Sequence, residues 1–187
     1  MQTHRYLAQL LVLALAFGGV AFAATQWTLQ PRESKLTFVG IQAGAEFEAA
    51  LQRFAADIKF DPQDLAGSRF EVTIDMASVD SRDSERDDTV KSDDLFAVKQ
   101  FPTARYVAER FTAKGGGKYA AAGKLTLRNV TREVPIEFTF EKKDSSAWLK
   151  GSAQLKRLDF GVGQGDWQDT STVGNEVKVN FVLLLKP

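Results

Sequence analysis

Apolar residues recur at every second position in several stretches of the chain. Phe70, Val72, Ile74 and Met76 alternate with Glu71, Thr73 and Asp75. Val134, Ile136, Phe138 and Phe140 alternate with Pro135, Glu137 and Thr139. Val177, Val179, Phe181, Leu183 and Leu185 form a third run, interrupted on its other face by Val182 and Leu184. A period of two buries one face of a strand and leaves the other polar, so these runs predict an antiparallel sheet. Turn-forming residues separate them: Asp61-Pro62, Gly115-Gly116-Gly117, Arg128-Asn129 and Asp144-Ser145-Ser146. Short strands joined by hairpin turns predict a sandwich or an up-and-down barrel. No linker, composition break or internal repeat divides the chain.

The stretch from Ser81 to Phe96 breaks the pattern. It is polar, and Ser81 can cap a helix whose first turns hold Glu85 and Arg86. We expect a short helix between two strands, lying across one end or side of the sheet. Its carboxylates (Asp83, Glu85, Asp87, Asp88, Asp93, Asp94) are oxygen donors of the kind calcium uses. They do not follow the spacing of a calcium loop and no Gly sits at the turn, so the run reads as a solvated helix face.

The N-terminus predicts a compartment. His4 and Arg5 precede an almost wholly apolar run from Leu7 to Phe22, and Ala21-Phe22-Ala23 fits a small-x-small cleavage site. This is the pattern of a secretory signal peptide over residues 1–23, with Ala24 as the mature start and the periplasm as destination. The domain proper is then residues 24–187.

Removing that leader restricts the chemistry. The sole His is His4 and there is no Cys. From residue 24 on, nucleophilic pairs built on His or Cys, zinc sites with nitrogen or sulfur ligands, and disulfides are excluded. Stability must come from a hydrophobic core, and the remaining length suffices for one domain. The full chain balances 24 basic against 24 acidic residues. Without Arg5 the balance turns slightly acidic, which argues against nucleic-acid binding.

The aromatic load is heavy, with 14 Phe and 3 Trp, of which only Phe17 and Phe22 fall in the leader. A small barrel can fill its interior with such side chains or enclose one ligand. Small residues share faces with the large ones: Ala45, Ala49, Ala104, Ala108, Ala121, Gly123, Gly151 and Ala153. They would either open a tunnel or fit a barrel's taper.

One block carries a resemblance. Gly123-Lys124-Leu125-Thr126-Leu127-Arg128-Asn129-Val130-Thr131-Arg132-Glu133-Val134 resembles the G-x-L-T-x-x-G-V-T-R-x-V signature of the YceI family. Further matches come in family order. They are Trp27 with Ser34-Lys35-Leu36-Thr37-Phe38, then Phe60-Asp61-Pro62, then Arg86-Asp87 and Phe96. Phe101-Pro102-Thr103-Ala104 and Arg157-Leu158-Asp159-Phe160-Gly161-Val162-Gly163 follow. The resemblance implies an all-β, lipocalin-like, antiparallel up-and-down barrel of about eight strands with one short helix. It implies a non-enzymatic periplasmic protein that binds a polyisoprenoid or another long-chain amphiphile, with no cofactor beyond that isoprenoid, quinone-like or fatty ligand.

On this resemblance, the inward positions would line the tunnel. They are Leu36, Phe38, Phe47, Phe54, Phe60, Val72, Ile74, Phe96, Phe101, Tyr106, Leu125, Ile136, Phe138, Phe160 and Phe181. Arg157 and Asp159 would flank the mouth, or else form an ion pair or turn brace. Two positions depart from the family pattern: Thr89 stands where many relatives carry His, and Asn129 replaces a turn Gly. The run Gly161-Val162-Gly163-Gln164-Gly165-Asp166-Trp167-Gln168-Asp169-Thr170 resembles a subgroup found fused to, or beside, a cytochrome b561-type membrane protein. Such a cytochrome is therefore one implied partner. A second copy of the chain is another, because an apolar final strand at Phe181–Leu185 would pair with itself if left as an open edge. Two other functions stay open. One is a structural or redox-partner module of a membrane cytochrome. The other is a hydrolase using carboxylates alone, such as Asp159, Asp166 and Asp169, which would need two of them about 5–9.5 Å apart.

Overall fold

The alternating runs form strands that wind up and down around one lumen. A computed structural model describes residues 24–187; the expected leader lies outside the described residues. The strands are β1 (Gln26–Leu29), β2 (Lys35–Gln42), β3 (Ala45–Leu51), β4 (Phe54–Lys59), β5 (Arg69–Asp75) and β6 (Val79–Asp80). Helix α1 (Ser84–Lys91) follows, then β7 (Thr103–Gly115), β8 (Lys118–Leu127), β9 (Val130–Lys143), β10 (Ser146–Lys156) and β11 (Glu176–Lys186). Three pairs of segments are single staves broken midway. A 3-10 turn at Pro31–Glu33 splits β1 from β2, Gln52 and Arg53 split β3 from β4, and a 3-10 turn at Met76–Ser78 splits β5 from β6. Counted as staves, the barrel has the eight expected, all antiparallel.

The barrel closes on β11. That strand pairs with β10 on one side and with β1 and β2 on the other, placing Leu29 opposite Leu185 and Phe38 opposite Val179. The final strand is therefore not an open edge, so the condition under which it would pair with a second copy is not met. Proline at 31 cannot donate to the ladder, and Ser34 repairs the gap. Its hydroxyl accepts from the Leu184 amide at 3.0 Å and donates to the Gln30 carbonyl at 2.7 Å.

The β8–β9 hairpin turns on Arg128 (φ 50°) and Asn129 (φ 59°). Both central residues are left-handed, as a two-residue hairpin requires. Asn tolerates that conformation, so the loss of the family Gly costs little. The Arg128 guanidinium donates to the Asp93 and Leu95 carbonyls and lies over the Phe101 ring, tying the hairpin to the segment after α1.

Helix α1 is shorter than the polar stretch and is not capped by Ser81. Asp83 is the N-cap, accepting from the Arg86 amide at 3.1 Å. Ser81 instead gives both its amide (2.8 Å) and its hydroxyl (2.7 Å) to the buried carboxylate of Asp87. Both residue types cap well; the reach of Asp87 decides which one does.

One end of the barrel is solid. Phe60, fully buried, stands at the centre of five rings: Phe70, Phe111, Tyr119, Phe138 and Phe140, with centroids 4.9–5.7 Å away. Trp27 packs edge-on against Phe140 at 5.4 Å and donates its indole N–H to the Phe60 carbonyl at 2.9 Å. Edge-to-face pairs of this kind add to the burial term. The other end is hollow, and β11 records the change. Leu185 is fully buried beyond the lumen and Leu183 is buried at the lumen's inner limit, whereas Val177, Val179 and Phe181 on the same face are only half-buried because they look into the open half.

Candidate ligand-binding site

The hollow half encloses a cavity of about 530 Å³, within the 300–1,000 Å³ typical of small-molecule sites (roughly). Leu36 and Phe38 of β2, Phe47 of β3, Phe54 of β4 and Val72 and Ile74 of β5 line it. So do Phe96 after α1, Tyr106 of β7, Leu125 of β8, Ile136 of β9 and Phe181 of β11. Alternation puts all of these strand residues on the inner face.

Four other expected tunnel residues lie elsewhere. Phe60 and Phe138 belong to the aromatic plug and fill the closed end. Phe101 sits outside the lumen under the Arg128 guanidinium, 5.6 Å from its ring centroid. Phe160 is buried in the core by the 3-10 turn Arg157–Phe160 and does not reach the cavity. Asp159 is exposed on that same turn, so it neither flanks the mouth nor pairs with Arg157.

Arg157 does line the cavity, but as a brace. It is 4% exposed. Its Nε donates to the Gly174 carbonyl (2.9 Å), and its two terminal nitrogens donate to those of Val162 (2.9 Å) and Val173 (2.7 Å). Burial pulls its pKa below the usual guanidinium value. One side chain thus fastens both limbs of the loop between β10 and β11 that carries Trp167 over the lumen.

Polar groups gather at one end only. Asp83, Glu85, Arg86 and Thr89 of the helix region and Gln42 of β2 make the rim. Arg86 lies over the Phe47 ring at 4.6 Å and donates to the Ser81 hydroxyl (3.0 Å) and to Gln42 Oε1 (3.4 Å). Thr89, at the family's His position, donates to the Glu85 carbonyl at 2.9 Å. None of the three carboxylates considered for a hydrolase, Asp159, Asp166 and Asp169, lines the cavity: Asp166 is exposed, and Asp169 accepts from the amide and hydroxyl of Ser171.

The small residues divide by role. Ala104 and Ala153 line the lumen, while Ala49, Ala108 and Ala121 are packed in the wall and Ala45 is exposed. Gly123 lies beneath Tyr106, whose ring occupies the space of a Cβ there, and whose hydroxyl donates to the Val134 carbonyl at 3.1 Å. The same arrangement brings Phe47 over Gly40. Rings laid flat on glycine leave the centre of the barrel open. Several lining residues escaped the sequence reading. Val134, Val177 and Val179 share the period-two face of residues that were chosen, so a signal existed. Trp167 lies in an irregular loop and had none.

The comparisons agree with this architecture. The YceI-like domain family profile matches residues 27–185. The UPF0312 protein of Vibrio parahaemolyticus is 30% identical over 115 residues, which span 58% of this chain and 61% of that protein. That of Shewanella denitrificans is 29% identical over 136 residues, 70% and 69% of the two chains. Among solved structures, Burkholderia cenocepacia BcnA superposes with a TM-score of 0.81 at 35% identity, over 83% of this chain and 98% of that one. A polyisoprenoid binding domain from Saccharophagus degradans shares the fold with a TM-score of 0.70 at 15% identity, over 86% and 97%. With a barrel closed in the family order and a profile matched nearly end to end over the described residues, the chain belongs to the YceI-like domain family.

Proposed function

We propose that this protein is a non-catalytic binding protein that holds one long-chain apolar amphiphile in its barrel, in the periplasm. The observation that carries the reading is the cavity itself: about 530 Å³ with apolar walls and a polar rim. Left empty at about 24 cal/mol per Å³, such a void would cost on the order of 10 kcal/mol. That is comparable to the whole stability of a domain. Water gains little from apolar walls that offer few hydrogen-bond partners. A long chain gains about 0.8 kcal/mol per buried methylene and needs no strong polar contact to stay.

An isoprenoid, a quinone-like isoprenoid or a fatty amphiphile fits these walls. The name of the Saccharophagus degradans neighbour supports the isoprenoid class. The periplasmic assignment rests on the leader pattern of residues 1–23. Mass spectrometry of an organic extract of the protein purified from its native compartment tests the function. A single long-chain species near one per protein is expected. A clean extract, together with no uptake of added isoprenoid quinones or fatty amides, would overturn the reading.

A further inference from the structure

We infer that residues 165–171 form a gate over the lumen, with Trp167 as its latch, and that an amphiphile enters and leaves when this segment swings out. This rests on the proposed binding of an apolar amphiphile. The loop crosses the mouth between two supports. On one side the amides of Gly163 and Gln164 both donate to the Asp94 carbonyl at 2.9 Å, in the segment after α1. On the other, the amide of Ala43 in the β2–β3 turn donates to the Thr172 carbonyl, and that of Gly174 to the Ile41 carbonyl, each at 2.9 Å. The Arg157 fork holds the Val162, Val173 and Gly174 carbonyls just outside both supports. Both limbs are thereby pinned to the barrel.

Between the supports the chain is held only by itself. Among the described residues, 165–171 hydrogen-bond only within the loop. The Trp167 amide donates to the Gln164 carbonyl (3.1 Å), the Asp169 amide to the Asp166 carbonyl (3.3 Å), and the Ser171 amide and hydroxyl to the Asp169 carboxylate (both 2.8 Å). Every residue from Gln164 to Thr172 is exposed except Trp167, which is half-buried, packs against the core and lines the lumen. Exposed, locally bonded backbone marks the segments that open at the lowest free energy. Gly165 supplies a hinge, with φ at 55° and nothing within 4 Å of where its Cβ would stand. Opening therefore breaks the contacts of the Trp167 ring and no hydrogen bond to the barrel. A latch and a wall residue differ in kinetics. Losing a wall contact speeds release alone, whereas loosening a gate also speeds entry, because opening precedes binding.

The test follows the binding of all-trans-retinol, a fluorescent isoprenoid alcohol, to delipidated protein by stopped-flow fluorescence. In the wild type the observed association rate should level off as retinol concentration rises, at the rate of opening. Trp167→Ala should raise that plateau by about tenfold, the effect of losing a half-buried ring. Gly165→Ala touches neither ligand nor core; it strains the closed hinge and should raise the plateau by about fivefold. It keeps the test decisive if Trp167→Ala disturbs the fold. Val177→Ala, at a lining position of β11, should leave the plateau in place and speed release only. An association rate that rises linearly with retinol in the wild type, or a plateau that neither loop variant moves, overturns the gate while leaving the binding function intact. Binding of neither retinol nor hexadecanol overturns the binding function and the gate with it.

Discussion

Gly151 of β10 stands opposite Phe181 of β11, and the Phe181 ring lies where a Cβ on residue 151 would stand. The Glu137 carbonyl oxygen and the Phe138 Cβ (2.7 Å from that position) crowd the same point. Glycine here lets an aromatic ring lie against the wall instead of projecting across the lumen. A Gly-to-Ala change at an unstrained site normally stabilises by about 0.4–1 kcal/mol through the unfolded chain. At this position the sign should reverse. Gly151→Ala should cost about 1–3 kcal/mol, as overpacking does, and should push the ring into the cavity. Denaturant midpoints and ligand occupancy, measured on the same preparation, check both parts.

Tyr106 gives the barrel an alkaline limit. Burial, and then the nearby charge of Glu133, raise its hydroxyl pKa above the ordinary phenol value. The unfolded chain releases that proton at about pH 10, whereas the folded protein holds it to higher pH. The contribution is thus fully present below pH 10 and is lost as pH rises above it. Between about pH 9 and 11 the wild type should lose stability more steeply than Tyr106→Phe. At neutral pH the variant should be the weaker of the two by about 1 kcal/mol, for the lost hydrogen bond to Val134. Urea titrations of both proteins across this range decide it, and parallel pH profiles would contradict the assignment.

Arg157 should resist even its closest replacement. Lysine carries the charge but cannot reach three carbonyls in a fixed fork. Each carbonyl left buried without a donor costs roughly 1–3 kcal/mol, so Arg157→Lys should destabilise by about 2 kcal/mol or more. Because those carbonyls anchor the loop that carries Trp167, bound ligand should also leave faster. Thermal unfolding and the dissociation rate of a bound prenyl alcohol measure the two effects.

The strands were legible because alternation is a local property: Ile136 and Phe138 face inward whatever closes the barrel. Where the lumen stops was not legible. Phe138 and Phe181 look alike in sequence, yet one is plug and the other is wall. The difference is made by Phe60, which reaches the axis from the connection between β4 and β5 and gathers five rings around it. Nothing near Phe138 in the chain announces that contact. The helix shows the same limit. Its place could be read from polarity, but its cap depends on Asp87 folding back to Ser81. The small-residue pattern suggested a hollow without saying which glycines lie under rings, because that pairing is a matter of register.

Closure through β11 also fixes when the binding site comes into existence. Thr28 pairs with Lys186 and Leu29 with Leu185, so the first and last strands of the described chain meet in one ladder. Contacts that distant in sequence form late, since the loop they close is nearly the whole domain. A chain emerging from synthesis cannot complete the lumen until its last strand has arrived. Until then the half-built wall has nothing to enclose. The lumen is thus the last part of the domain to be made, although its wall begins with the first described strand.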